Sequence, residues 1–143
     1  MIILDTNVVS EPYRLAPNLV VRAWLDSQPA NSLFLCTPVL AELHFGIERL
    51  TPGARKTRLS KVVHEFEHSL YRDRILVFDA AAAAEYGRIR ANRERLGRPL
   101  SQMDATIAAI ALTHRAAIAT RDTDDFTDLG LQLINPFEAA AEP

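Results

Sequence analysis

Short apolar runs alternate with longer stretches of helical periodicity along this chain. Ile2, Ile3 and Leu4 form the first run, which ends abruptly in Asp5, Thr6 and Asn7. Similar runs recur at residues 33–36, 75–78, 117–119 and 131–134. Unbroken apolar runs of this length read as strands buried on both faces of a parallel sheet. Between them apolar residues return every three or four positions. Residues 7–14 predict a short helix stopped near Pro12. A second helix is expected from Pro17 to before Pro29, with Val20, Val21, Trp24 and Leu25 on its inner side. Thr37-Pro38 reads as an N-cap followed by proline in the first turn, opening a helix to about Leu50. After the Pro52-Gly53 break, a long helix is expected to about Arg72, with Leu59, Val62, Val63, Phe66 and Leu70 as its stripe. Asp79 caps an alanine-rich helix that ends near Gly97, and Ser101 opens another to about His114. Residues 122–129 predict a last short helix.

Strands alternating with helices argue for an α/β fold with a five-stranded parallel sheet flanked by helices. No linker or repeat divides the chain, so one domain over residues 1–137 is expected, with a frayed tail at 138–143. A length of 143 residues allows a real core. The helix at 101–114 carries Ala105, Ala108, Ala109 and Ala111, small enough for close approach to its neighbours. Charge changes this picture little: the net charge is −2, so a polyanion must bind at a local basic patch. The single cysteine, Cys36, cannot form an internal disulfide and fits a reducing compartment. No basic leader is seen and no apolar run nears the roughly 18 residues that span a bilayer, so a cytoplasmic protein is expected.

Four acids occupy comparable places. Asp5 and Asp122 each follow an expected strand. Glu42 lies one turn into the helix after the second strand, and Asp104 in the first turn of the alanine-rich helix. In open α/β sheets, sites form at the carboxyl ends of strands. Gly46 follows Glu42 by four residues and leaves open space on its side, as Ala108 and Ala111 do for Asp104. Each acid also has a simpler use. Asp5 and Asn7 can turn the chain into a helix, Ser101 and Asp104 can form a capping box, Asp122 can cap the last helix, and Glu42 can face water. Their joint placement is what argues for chemistry. Two carboxylates about 4 Å apart repel by about 4 kcal/mol at an effective dielectric near 20. A converging cluster must therefore keep a proton or bind a cation. An all-oxygen set suits Mg²⁺ or Mn²⁺.

The runs Ile3-Leu4-Asp5-Thr6-Asn7, Ala41-Glu42-Leu43 with Gly46-Ile47, Asp104 with Ile107-Ala108-Ala109, and Ala119-Thr120-Arg121-Asp122 with Asp125-Phe126 come in that order. With the closing Ile134-Asn135-Pro136-Phe137, they resemble PIN-domain motifs, and most of all the FitB-like branch of the VapC toxins. The resemblance covers nearly the whole chain. It implies a Mg²⁺- or Mn²⁺-dependent ribonuclease that leaves a 5′-phosphate and a 3′-hydroxyl. It also implies a dimer or higher oligomer, held by a small antitoxin with a DNA-binding end. Asp5, Glu42, Asp104 and Asp122 match the family's acidic quartet and become the candidate catalytic and metal-binding residues. Relatives often carry Asn at the fourth position, so the charge of Asp122 is the least required. Asp125, Thr6 and Asn7 are auxiliary candidates.

Three other patterns in the chain fit their families less well. His64-Glu65-Phe66-Glu67-His68 matches the H-E-x-x-H motif of zinc proteases. On a helical wheel both histidines face away from the apolar stripe, and Tyr71 stands where the longer zinc motif has glycine. The start of the chain is faintly similar to dehalogenase-type phosphatases, but Asn7 replaces their second Asp. Lys56 and Lys61, the only lysines, also lie in the wrong part of the chain for the phosphate-binding lysine of those enzymes. Asp122-x-Asp124 begins like an EF-hand loop, but Phe126 occupies the next ligand position. A non-catalytic PIN-fold module that regulates transcription with a DNA-binding partner remains the contrasting class.

Arg88, Arg90, Arg93, Arg95 and Arg98 crowd one helix end, and Arg55, Lys56, Arg58 and Lys61 form a second basic run. Such runs commonly make solvated helix faces, and cations favour a helix C-terminus. Beside an acidic site they also supply phosphate contacts, and Arg90, Arg93 and Arg95 are the candidates for RNA.

Overall fold

Five strands lie side by side in the order β3-β2-β1-β4-β5, every neighbouring pair parallel. They are β1 (Ile2–Leu4), β2 (Leu33–Cys36), β3 (Ile75–Leu76), β4 (Ala117–Ala119) and β5 (Leu133–Ile134). The computed structural model describes residues 1–138. Of the expected frayed tail, all but Glu138 lies outside the described residues. β1 is the central strand, with Ile3 and Leu4 wholly buried, as an unbroken apolar run demands. From β1 the chain builds β2 and β3 to one side, then returns to add β4 and β5 on the other. The reversal leaves a crevice at the carboxyl end of β1, the usual place for a site in such sheets.

Among the described residues six α-helices flank the sheet: α1 (Thr6–Val9), α2 (Leu19–Ser27), α3 (Thr37–Glu48), α4 (Ala54–Glu65), α5 (Ala80–Arg95) and α6 (Gln102–His114). Caps explain most starts. The Asn18 side chain accepts from the Val20 and Val21 amides, so α2 begins after Pro17 rather than at it. Asp79 accepts from the Ala82 amide and Ser101 from the Asp104 amide. Cys36, not Thr37, occupies the cap position of α3, and Pro38 falls in its first turn. α6 ends in left-handed Arg115.

Several expected elements are shorter, each for a local reason. The first helix stops at Val9 because the Ser10 hydroxyl folds back on the Thr6 carbonyl and Pro12 offers no amide. A single 3-10 turn, Glu11–Tyr13, follows. Val77 and Phe78 run past the end of β2, have no strand to pair with, and are half-exposed. The expected helix at 122–129 is one 3-10 turn, Thr123–Phe126, capped by Thr127, with Asp128 at positive φ just beyond it. The long helix after Pro52-Gly53 changes character at Phe66. There Phe66–Leu70 forms a π-turn in which the Tyr71 amide donates to the Phe66 carbonyl. The wider turn lets Phe66 and Tyr71 pack edge to face, centroids 5.5 Å apart, and Tyr13 also meets Phe66 edge to face at 5.6 Å. It also rotates Leu70, expected in the stripe, out to solvent.

The alanines of α6 behave as read. Ala105, Ala108, Ala109 and Ala111 are completely buried, and α5 packs closely against this helix. Such a seam has no room to spare. Ala108→Leu should lower stability by about 1–3 kcal/mol through overpacking. Urea unfolding followed by circular dichroism checks this, and an unchanged midpoint would mean the seam is loose.

Candidate active site

Asp5 is the first residue past the central strand, and its amide donates to the Ala119 carbonyl at 2.9 Å. The sheet itself therefore fixes its backbone. The residue is 8% exposed, and its carboxylate is doubly held. One oxygen accepts from the Thr6 amide and the other from the Thr120 hydroxyl, both at 2.8 Å. Thr120 is wholly buried just beyond β4, and its oxygen in turn accepts from the Asp122 amide at 3.0 Å. One hydroxyl thus ties the acid after β1 to the acid after β4.

Asn7 completes the bridge. Its side-chain nitrogen donates to the Asp122 carboxylate at 3.0 Å, and its side-chain oxygen accepts from the Arg121 amide. Both ends have a partner that only one amide orientation satisfies. Asp122 makes no capping bond to the turn that follows, so its simpler reading as a helix cap fails. Asp5 does cap α1, and Ser101 does cap α6, so those local roles coexist with the site.

The electrostatics join the remaining acids to this pair. Burial raises the Asp5 carboxyl above the ordinary carboxylate range; its Thr120 and Thr6 hydrogen bonds pull it back, and Asp122 and Asp125 push it further up. Glu42 is raised by burial and then by Asp5 and Asp104. Asp104 is raised by burial, then by Asp125, Asp5 and Asp122. Acids from five places in the chain therefore share one field. The Thr6 hydroxyl leans towards Glu42 and lowers its carboxyl somewhat, yet its buried oxygen makes no bond of good geometry. Cys36 is a neighbour, but burial pushes its thiol up to about 12, which leaves it a packing group.

Such a cluster suits a hard divalent cation. Its donors are all oxygen, its carboxylates oppose one another, and a buried hydroxyl beside them lacks a partner. Among the described residues, no three His, Cys, Asp or Glu side chains close into a direct ligand cage. Mg²⁺ commonly keeps several waters and uses only one or two carboxylates directly. Loosely spaced carboxylates fit that habit.

The histidine pair of the H-E-x-x-H motif lies on the exposed side, its ring centroids 4.1 Å apart and the planes tilted by 44°. Glu67 pairs with His44 instead. The arginine run does not form one face. Arg93, expected to contact RNA, is 5% exposed. It donates to the carbonyls of Arg98 at 2.8 Å and Thr127 at 2.9 Å, and more weakly to that of Asp125. The reason is periodicity: Arg93 lies four residues after buried Ile89, on the inner side of α5. It ties the end of α5 to the Asp122–Asp125 turn. Arg90 lies over the Tyr86 ring, Arg88 and Arg98 pair with Glu85 and Asp128, and Arg95 is exposed. Glu11 is a buried acid that the pattern did not single out; it accepts from the Asn18 amide and pairs with Arg14.

Beside Thr6 and Glu42 opens a cavity of about 430 Å³. Leu43, Ile47, Leu59, Val62 and Phe66 from α3, α4 and the π-turn give it apolar walls, and Gly46 leaves room at its side.

The sequence pattern of the PIN domain matches residues 2–131. This chain belongs to the PIN-domain family. It is 37% identical to the VapC ribonuclease Y4jK of Sinorhizobium fredii, over 98% of this chain and all of that protein. It is 39% identical to toxin FitB of Neisseria gonorrhoeae, over 96% of this chain and 99% of the toxin. Among solved structures, FitAB bound to a DNA fragment superposes with a TM-score of 0.93 at 37% identity, over the full length of both chains. This PIN domain thus stands in the FitB-like branch of the VapC ribonuclease toxins. Among the described residues, no helix is long and apolar enough to cross a membrane.

The raised acids set a pH dependence for the metal-free PIN domain. Its folded state holds protons on Asp5, Glu42 and Asp104 more tightly than the unfolded chain does. Stability should therefore fall as pH rises from the ordinary carboxylate range through the raised values. Asp104→Asn removes one of these groups, so its metal-free melting temperature at neutral pH should equal or exceed wild type. Melting curves across that range check both points, and a lower neutral-pH melting temperature in the variant would contradict the shared field.

Proposed function

We propose that this PIN domain is the toxin of a toxin–antitoxin pair, an endoribonuclease dependent on Mg²⁺ or Mn²⁺ and acting in the cytoplasm. The observation that carries the reading is the convergence of acids from different elements at the carboxyl end of β1: the Thr120 hydroxyl and the Asn7 side chain tie Asp5 to Asp122, and the Asp5 charge reaches both Glu42 and Asp104. A structural cap does not need other carboxylates in its field; a cation holder does.

Asp5 and Asp104 are the main metal-holding residues. Glu42 and Asp122 hold a second ion or orient the attacking water. When bound, the cation polarises the scissile phosphate and lowers the pKa of a water. Thr120 and Asn7 keep Asp5 and Asp122 in fixed orientations, so little rearrangement is needed on binding. Asp125 adds negative charge at the same edge. Arg95, and Arg90 from its place over Tyr86, offer positive charge to RNA; Arg93 does not.

The partner is a small antitoxin with a DNA-binding end, and the free toxin is a dimer or larger. The apolar cavity between α3 and α4 suits the apolar face of a partner helix. Co-expression with the short reading frame beside its gene should yield a co-purifying small protein that suppresses cleavage. A monomer in sedimentation with no such partner would count against this part of the reading.

The direct test is incubation of purified protein with a mixed RNA pool. Cleavage is expected with Mn²⁺ and none with EDTA, and Asp104→Asn should lower the rate by at least about 100-fold while staying folded. Asp122→Asn should lose less. Full activity in Asp104→Asn would sink the metallonuclease reading. RNA binding without any cleavage in Mn²⁺ would favour the non-catalytic module.

A further inference from the structure

One cation at the mouth of the acidic cluster is not spent on the acids. Arg121 stands between Thr120 and Asp122, and it lines the cavity with Thr6, Asn7 and Glu42. The Asn7 side chain holds its amide, which fixes where the side chain departs. The guanidinium lies over the Phe137 ring, 3.8 Å from the centroid. Among the described residues it has no ion-pair or side-chain hydrogen-bond partner. Nor is it among the causes that lower Asp5, Glu42 or Asp104.

The stack is what makes this cation usable. A guanidinium that stacks on an aromatic ring uses its face, and its N–H groups remain in the plane, open to oxygen acceptors. Phe137 is itself fixed: its amide donates to the Asn135 side chain at 3.0 Å, and Pro136 beside it is buried. A planar fork of donors is thus held one residue from an acid of the cluster, with its charge uncommitted. Forks of this kind pair with phosphate oxygens through two parallel bonds.

We infer that Arg121 is a catalytic residue that grips the phosphate next to, or at, the scissile bond, with Phe137 as the platform that positions it. The inference rests on the ribonuclease reading and adds a substrate contact that the acids cannot supply. It also assigns a role to the closing Asn135-Pro136-Phe137 turn, which reaches the site from beyond the last strand. The simpler account is that Arg121 only pins this turn to the domain.

The test uses the full chain with a labelled single-stranded RNA. Cleavage is measured in Mn²⁺ and binding in Ca²⁺, over a range of salt, for Arg121→Gln, Arg121→Lys and Phe137→Leu. Arg121→Gln should cut kcat/KM by about 100-fold. It should also flatten the salt slope by about 0.7, the value for one phosphate contact on a single strand. Mn²⁺ affinity, read by thermal shift without RNA, should be unchanged or tighter, because a nearby positive charge is gone. Arg121→Lys should recover part of the rate and the whole salt slope. Phe137→Leu should lose less than Arg121→Gln and keep the slope.

Wild-type cleavage and slope in Arg121→Gln would overturn the inference while leaving the ribonuclease reading intact. So would equal losses in Phe137→Leu and Arg121→Gln, which would make the arginine a pin for the turn. Weaker Mn²⁺ binding in parallel with lost activity would also overturn it. Wild-type protein that neither binds nor cuts RNA would overturn both readings together.

Discussion

Like charges held close together at the end of a buried strand are the constraint around which this domain is arranged. Asp5 must be there because β1 ends there, and β1 is fixed by parallel neighbours on both sides. Burial alone makes its charged form unfavourable, and the other acids add to that. The protein answers with hydrogen bonds: the Thr6 amide and the Thr120 hydroxyl both donate to this carboxylate. These bonds favour the ionised form but do not cancel the cost of burial together with the push of Asp122 and Asp125. A cation held by these acids, as proposed above, would offset what remains.

Much of the scaffold serves to hold that unfavourable group of charges in place. The Thr120 and Asn7 side chains cross between the ends of β1 and β4. Arg93 crosses from α5 to the turn that carries Asp125. A buried guanidinium bonded only to carbonyls is an expensive support, since a buried cation normally needs an acidic partner. Its placement next to an acidic turn offsets part of that cost. α6 presents Asp104 from its first turn, and its fully buried alanines let it approach α5 closely enough to do so.

The strand cores were legible because burial on both faces leaves an unbroken apolar signature, as in Ile2–Leu4 and Ala117–Ala119. Asp5, Glu42 and Asp122 could be picked out because each falls at a strand end or one turn into the helix after one; Asp104 stands in the first turn of α6, which follows α5, and its motif and first-turn place were its only signals. What pattern could not give was the set of crossings between distant parts. Thr120 looks like one more β-branched residue until the sheet sets it against Asp5. A hydroxyl at the end of an apolar strand was the available signal. Arg93 sat in an arginine run that reads as one surface, and only its spacing of four from Ile89 hinted at burial. The π-turn at Phe66–Leu70 depends on aromatic packing with Tyr13 and Tyr71, which no helical periodicity encodes.

The central claim is that the carboxylates of Asp5 and Asp104, helped by Glu42 and Asp122, hold a divalent cation. Crystals soaked in Mn²⁺ and measured for anomalous scattering test it most directly. A peak about 2.1 Å from an oxygen of Asp5 or Asp104, with ordered waters around it, is the expected result. A peak only at the His64/His68 pair, or none at the acidic cluster under conditions where the protein cleaves RNA, would contradict the account.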